Sequence, residues 1–325
     1  MAVLVAPDSF KGTHTAPEVA ALLAEGLRSG GVEAIELPVA DGGEGTYEIL
    51  RGALGARAVT VRTVGPWREP LTAEIALTDD DTALVGLAAA SGITLSSATD
   101  RDPVVADTYG TGLLIAEAVE LGARHVVVAA GGSATTDGGR GAVAAIAESG
   151  GMRGARITVL CDVTTAFEDA AVVFGPQKGA SPEQVRALTD RLRRQAQALR
   201  RDPLGVPRTG AAGGFAGGLW AAFDASLVAG ADAVLDAVGF DAAVADAQAV
   251  VVGEGRLDAQ TAQGKIVSAV LARAGGLPVH AVVGSVGGDL GDGAATFASI
   301  TVASTADEIR SAGRRLADLL RPPHP

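Results

Sequence analysis

Aromatic residues make up only 3% of this 325-residue chain, and it has a single cysteine. The core must therefore be built from Ala, Val and Leu, which the 48% hydrophobic content supplies. Cys161 cannot form an internal disulfide, which points to a reducing compartment, the cytoplasm. It closes the apolar run 157–160, where a buried thiol is the simplest reading. The four histidines (His14, His125, His280 and His324) stand too far apart for zinc-ligand spacing. Excess positive charge is also missing. The net charge of −12 disfavours nucleic acid or an anionic membrane surface as a partner. No run approaches the roughly 20 apolar residues that a membrane span needs. Met1 leads straight into a strand pattern, with no basic leader segment before it. Neither G-x-G-x-x-G nor G-x-x-x-x-G-K-[ST] occurs. The Gly264-Lys265 pair has Ala259 where the first glycine of the second motif would stand. A dinucleotide loop of the Rossmann type and a P-loop are both disfavoured.

What the chain has instead is glycine, 44 residues of it, about twice the average usage of ~7% and without a collagen period. Four times an apolar, strand-like run breaks into a glycine-rich turn that carries carboxylates. The turns are Pro7-Asp8-Ser9-Phe10-Lys11-Gly12, Asp41-Gly42-Gly43-Glu44-Gly45-Thr46, the segment 131–139 (Gly-Gly-Ser-Ala-Thr-Thr-Asp-Gly-Gly), and Gly253-Glu254-Gly255-Arg256-Leu257-Asp258. Open α/β sheets bind ligands at the carboxyl ends of their strands, where such loops gather. Glycine lets backbone N–H groups approach a phosphate, and a helix N-terminus favours negative charge. The carboxylates suit a divalent metal, or a hydroxyl that must lose a proton. Together these are the parts that phosphoryl transfer needs.

The order of patterns predicts an α/β fold. Strands at 3–6 and 33–40 alternate with a helix that opens at the capping-box spacing of Thr15 and Glu18 and carries Val19, Leu22, Leu23 and Leu27 at helical spacing, and a second helix near 46–54. Short runs at 59–64, 73–78 and 82–88, separated by turn residues, predict antiparallel pairing. Helices at 107–120 and 141–149 and strands at 126–130 and 157–163 follow. Ser181 and Gln184 open a helix with Val185, Leu188, Leu192 and Leu199 on one face, its arginine-rich remainder reading as solvated surface. A helix is expected at 219–227. The last third returns to strands at 249–252, 279–284 and 300–303, a helix at 259–274, and a final helix capped by Thr305 and Glu308. The expectation is a doubly wound parallel-sheet domain built from both chain ends, residues 1–56 with 236–325, and a mixed α/β domain, 57–235, inserted into it.

Each motif alone has a plain alternative. Asp8 and Ser9 can satisfy a turn, with Lys11 solvated. Glu44 can cap a helix and compensate its dipole, although the glycine density there exceeds what a cap needs. Ser133, Thr135, Thr136 and Asp137 lie between two Gly-Gly pairs, a phosphate cradle with an acid at its lip. Gly175-Pro176-Gln177-Lys178-Gly179-Ala180 puts a lysine in a tight turn before a helix, as a surface turn also would. Arg256 can take a carboxylate or phosphate bidentately, and Asp258 can be only a helix cap.

Taken in order, 6–12, 38–46, 131–139, 174–180 and above all 253–265 (Gly-Glu-Gly-Arg-Leu-Asp-Ala-Gln-Thr-Ala-Gln-Gly-Lys) resemble the glycerate kinase type-1 family. The resemblance runs from Val3 to about Gly284. It departs from the family pattern in the middle region, for example at Thr136 and Leu113. It implies ATP- and Mg²⁺-dependent phosphorylation of D-glycerate on a two-domain α/β fold, with the active site in the cleft between the domains. Phosphorylation at the 2-position is favoured over the 3-position. Under this resemblance Asp41 is the first candidate for the group that deprotonates the attacking hydroxyl, and Asp137 the second. Lys11 and Arg256 fix the substrate carboxylate, and Asp8, Ser9, Glu254 and Asp258 complete that site. Gly131, Gly132, Ser133, Thr135, Gln177 and Lys178 receive the nucleotide, and Glu44 and Asp162 the metal. A kinase for another small hydroxy-acid, or a non-catalytic ligand-binding paralogue, is the alternative.

Overall fold

The computed structural model describes residues 2–95, 102–258, 266–288 and 291–321; of residues 258 and 291–293 only the backbone is described. The chain divides into two compact units, residues 1–41 with 231–325, and residues 42–230. The division falls before the helix Thr46–Ala53, so that this helix belongs to the second unit and not, as expected, to the first. The reason is local: Gly86 has no side chain where Tyr47 of that helix packs, and a Cβ there would stand 3.4 Å from the Tyr47 Cβ.

The first unit is a five-stranded, all-parallel sheet. Its strands, numbered along the whole chain, are β1 (Ala2–Pro7), β2 (Ala34–Glu36), β9 (Ala247–Glu254), β11 (Val279–Val283) and β13 (Ser299–Val302). Their order is β13-β11-β9-β1-β2. β1 and the stretch 249–252 of β9 are apolar and largely buried, as strands of a parallel sheet covered by helices on both faces are. The helix Ala16–Ser29 begins at the Thr15–Glu18 capping box. It buries Val19, Leu23 and Leu27 against Ile309 and Leu316 of the last helix, Ala306–Leu320. Each such aliphatic side chain contributes about 1.5–3 kcal/mol. A short parallel pair, β10 (Leu257–Asp258) with β12 (Val286–Gly287), stands beside the main sheet.

The second unit is a six-stranded mixed sheet in the order β3-β4-β5-β6-β7-β8. The strands are β3 (Arg57–Val64), β4 (Pro70–Leu77), β5 (Thr82–Gly86), β6 (His125–Ala129), β7 (Arg156–Cys161) and β8 (Ser226–Ala229). β3, β4 and β5 pair antiparallel, and β5 through β8 pair parallel. Its main core gathers Val85, Leu114, Val126, Val128, Val159 and Phe215. A separate small core of Phe167, Ala170, Ala171, Leu188, Leu192 and Ala196 seats the helix Pro182–Ala196, which Ser181 and Gln184 cap as expected.

The remaining differences from the pattern reading are at element ends and in short elements that the pattern did not show. The strand expected over 33–40 is reduced to β2, although the N–H groups of Leu37 and Val39 still bond to the carbonyls of Val5 and Pro7. The helix expected at 219–227 runs instead from Phe215 to Phe223 and stops where Asp224 turns left-handed at φ 55°; the residues after it form β8. The helices Gly230–Ala237 and Phe240–Ala245 carried no pattern strong enough to be assigned. Of the helix expected at 259–274, Ile266–Arg273 is described, and residues 259–265 lie outside the described residues. Among the described residues no helix is long and apolar enough to cross a membrane.

Candidate active site

In the first unit, β1 leads by a helix to β2 on one side, and β9 leads by a helix to β11 on the other. The crevice beyond the carboxyl ends of β1 and β9 is therefore the point where the winding reverses, the usual ligand position in such sheets. A cavity of about 470 Å³ opens there. Its lining includes residues from four strand ends: Asp8, Ser9 and Lys11 after β1, Glu254 at the end of β9 and Arg256 beyond it, Ser285 after β11, and Ser304 after β13. Asp41, on the stretch that follows β2, lines it as well. The loops converge because glycine lets their backbones touch. A Cβ on Gly284 would stand 2.6 Å from the carbonyl oxygen of Gly255, and one on Gly255 would stand 3.2 Å from the Lys11 nitrogen.

The cavity holds two buried carboxylates, Asp8 and Asp41, and two exposed cations, Lys11 and Arg256. Burial, reinforced by the negative charge of Asp41, pushes the Asp8 carboxyl up to about 7. The Ser9 N–H, 2.6 Å from Asp8 Oδ1, and the charge of Lys11 pull the other way and only moderate the rise. Asp8 thus takes up and releases a proton near neutrality. This quartet can grip a small anion by its charged end and meet hydroxyl groups with a carboxyl that gives or takes a proton.

In the second unit a cavity of about 280 Å³ lies at the carboxyl ends of β6 and β7. Gly131, Gly132 and Ser133 line it after β6, Asp162 and Val163 after β7, and Phe174, Gln177 and Lys178 complete it. Gly131 is needed for close approach, since a Cβ there would stand 2.3 Å from the carbonyl carbon of Gly43. Lys178 is buried and donates to the Thr135 carbonyl. Burial brings its ammonium down to about 8, an effect the Asp137 charge partly offsets. The Ser133 hydroxyl lies 3.0 Å from the Thr135 hydroxyl. The buried Cys161 thiol, at the end of β7, is pushed up to about 12 by burial and is inert.

The expected site residues thus sort into two groups. Asp8, Ser9, Lys11, Asp41, Glu254 and Arg256 come together in the first cavity, and Gly131, Gly132, Ser133, Gln177, Lys178 and Asp162 in the second. Four others stand apart. Asp137 is buried and accepts from the Thr108 N–H at 3.0 Å, the Thr108 hydroxyl at 2.8 Å, and the N–H groups of Gly141 and Gly139 at 2.9 and 3.1 Å. Its lone pairs hold a helix N-terminus and the Thr108 turn, so it is not placed to act as a base. Thr135 is buried behind Ser133 and does not line the cavity. Glu44 is exposed and is not among its lining residues. The side chain of Asp258 lies outside the described residues. Ser285, Ser304 and Thr108 escaped the sequence reading. Each of the two serines stands two positions past the end of a strand, which is the signal that could have found them.

The described residues include no group of three His, Cys, Asp or Glu side chains able to hold a metal ion. One carboxylate beside a phosphate-binding loop is nevertheless enough for Mg²⁺, which keeps much of its water and binds through a nucleotide's phosphates. Asp162, half-buried in the cavity that holds Ser133 and Lys178, fits that requirement.

Comparison with known proteins matches this chain to the glycerate kinase family model over residues 3–150 and 148–321. A glycerate kinase of Bacillus subtilis is 36% identical over 332 residues, covering 89% of this chain and 86% of that protein. A glycerate 2-kinase of Escherichia coli is 35% identical over 331 residues, covering 90% and 87%. A crystal structure provisionally assigned as glycerate kinase 2 of Salmonella typhimurium LT2 superposes with a TM-score of 0.82 at 33% identity, over 98% of both chains. The chain therefore belongs to the glycerate kinase family and is a kinase whose acceptor is an alcohol group.

Proposed function

We propose that this protein transfers the terminal phosphoryl group of ATP to the 2-hydroxyl of D-glycerate. The observation that carries the reading is the first-unit cavity. There two buried carboxylates and two exposed cations converge on the reversal point of a doubly wound sheet. Glycerate is a small anion with two hydroxyls, and each feature has a counterpart in that cavity. Lys11 and Arg256 take its carboxylate. Asp41 accepts the proton of the attacking hydroxyl. Asp8, partly protonated near neutrality, donates to or accepts from a substrate oxygen as its proton comes and goes. The 2-position follows the name of the Escherichia coli relative.

The second-unit cavity receives the nucleotide. Gly131, Gly132 and Ser133 face the phosphates, Lys178 supplies a cation, and Gln177 a polar edge. Asp162 would hold Mg²⁺, which brings charge neutralisation to the phosphate oxygens when bound, while Glu44 has the weaker claim because of its exposure. Positioning and charge neutralisation supply most of the rate in phosphoryl transfer. The direct test is ADP release with ATP, Mg²⁺ and D-glycerate, followed by NMR assignment of the phosphorylated carbon. Glycerate-dependent release with phosphate on C2 is expected. Turnover with another hydroxy-acid but not glycerate would overturn the substrate. Absence of turnover with any hydroxy-acid would overturn the function.

A further inference from the structure

The helix Pro182–Ala196 has a feature that the phosphate-loop reading does not use. Its arginine-rich side is not wholly solvated. Arg186, Arg193 and Arg194 are exposed, but Arg191 is half-buried, one turn from Leu188 and next to Leu192 on the seated face. Its guanidinium spans two segments, donating to the Val104 carbonyl and to the Thr136 carbonyl, both at 2.6 Å. Gln195, four residues on and on the same face, donates to the Gly138 carbonyl at 2.8 Å. Lys178, in the turn just before this helix, donates to the Thr135 carbonyl. Three carbonyls of the segment 131–139 are thus each held by a side chain from the 178–195 region, and two of the three donors are cations. Asp137 fixes the same segment from within through its four accepted hydrogen bonds.

We infer that Arg191, with Gln195, is a positioning residue for nucleotide binding, acting through the loop 131–139 without touching the nucleotide. The inference rests on the nucleotide reading of the second-unit cavity. A donor on a peptide carbonyl polarises that peptide unit and makes its N–H a stronger donor. A charged donor makes a hydrogen bond about twice as strong as a neutral one. Holding the carbonyls of Thr135, Thr136 and Gly138 also fixes which way the loop's peptide planes face, so the loop does not have to order itself when an anion arrives. In a chain of net charge −12, the buried Lys178 and the half-buried Arg191 on the loop give local compensation for polyphosphate.

The test is calorimetric titration of ADP with Mg²⁺ into the full-length chain. For Arg191→Gln the Kd for ADP is expected to rise about 10- to 100-fold, the loss of one or two charge-assisted hydrogen bonds, while the KM for D-glycerate stays within about twofold. Arg191→Lys keeps the charge but can reach only one of the two carbonyls, and is expected to recover part of the loss. Should Arg191→Gln fail to fold, Gln195→Met is read the same way, with an expected three- to tenfold rise. ADP affinity equal to wild type in the folded variants, with only a lower melting temperature, would make the pair a structural brace and overturn the inference. Failure of the wild-type chain itself to bind ADP would instead overturn the nucleotide reading.

Discussion

Both cavities bury an ionisable group that burial pushes toward its neutral form, but with opposite sign. In the first unit it is a carboxyl, Asp8, raised to about 7; in the second it is an amine, Lys178, lowered to about 8. The two are supported differently. Asp8 faces a second carboxylate, Asp41, which raises it further, so the first cavity brings two buried like charges together, and the charge of Lys11 and the Ser9 N–H only moderate the rise. Lys178 feels the charge of Asp137 and already has a carbonyl to donate to, so the second cavity is closer to internally satisfied. One sequence theme, an apolar strand breaking into glycines and an acid, has produced two kinds of site. Where loops from four strands meet backbone to backbone, the acid side chains reach the cavity. Where one loop is fixed from behind, the acid turns inward to hold the loop.

The largest effect that would break this contrast is on Asp41. Asp41→Asn removes the proposed proton acceptor while keeping its shape, and kcat should fall about 10²- to 10⁴-fold. ADP affinity, which the proposal assigns to the other unit, should stay unchanged. A variant with near wild-type turnover would take Asp41 out of that role.

Asp8→Asn separates like-charge strain from function. Because the folded carboxyl titrates near 7 and an unfolded one near 3.8, the folded protein binds more protons between those values and loses stability as pH rises from about 4 to 7. Asparagine has no such dependence. The variant should be more stable than wild type by about 2–4 kcal/mol at pH 8, with the gap closing toward pH 4, in chemical denaturation run at both values. A gap independent of pH would mean that Asp8 is charged throughout.

On the other side, Lys178→Met should weaken ADP binding by about 10- to 100-fold. The lysine loses its charge as pH rises through about 8, so wild-type affinity for the anion should decline above that pH, while the methionine variant should stay weak and flat. Parallel pH slopes in the two proteins would assign the titration to another group.

How much of this was legible in the sequence follows the same division. The first-unit site was readable because its residues lie within a few positions of strand ends that the hydrophobic pattern marks, and strand ends converge in a doubly wound sheet. Glu254, Arg256, Asp8 and Asp41 needed only the rule that loops gather there. The second unit was half readable. Gly131, Ser133 and Lys178 could be found by local motif. The inward turn of Asp137 depends on Thr108, 29 residues earlier, and no local pattern reports such a partner. Arg191 was misplaced for a different reason. Among several arginines on one helix, composition suggests a wet face, yet Leu188, Arg191, Leu192, Gln195 and Ala196 have the i, i+3, i+4, i+7, i+8 spacing of a seated stripe. The spacing was present, and the charge masked it. Boundaries failed where the chain continues without a change of pattern, as at Asp41, whose two sides read alike until packing assigns Tyr47 to the second unit.

The smallest effect is the most selective. Each unit carries a helix opened by a capping box, Thr305–Glu308 in the first and Ser181–Gln184 in the second. Removing either cap hydroxyl, by Thr305→Ala or Ser181→Ala, should cost about 1 kcal/mol of stability. As structural changes the two are equivalent. They differ in what the helix does next: the one opened by Ser181 carries Arg191 and Gln195 onto the loop 131–139, whereas the one opened by Thr305 packs against Ala16–Ser29. Fraying at Ser181 should therefore reach nucleotide affinity as a two- to fivefold rise in the Kd for ADP, the part of about 1 kcal/mol that the loop feels. Thr305→Ala should leave that affinity unchanged at the same loss of stability. Equal ADP affinity in both variants would mean that the first turn of the helix is mechanically uncoupled from Arg191, three turns further on, and that the small core around Leu188 and Leu192 alone holds the brace in place.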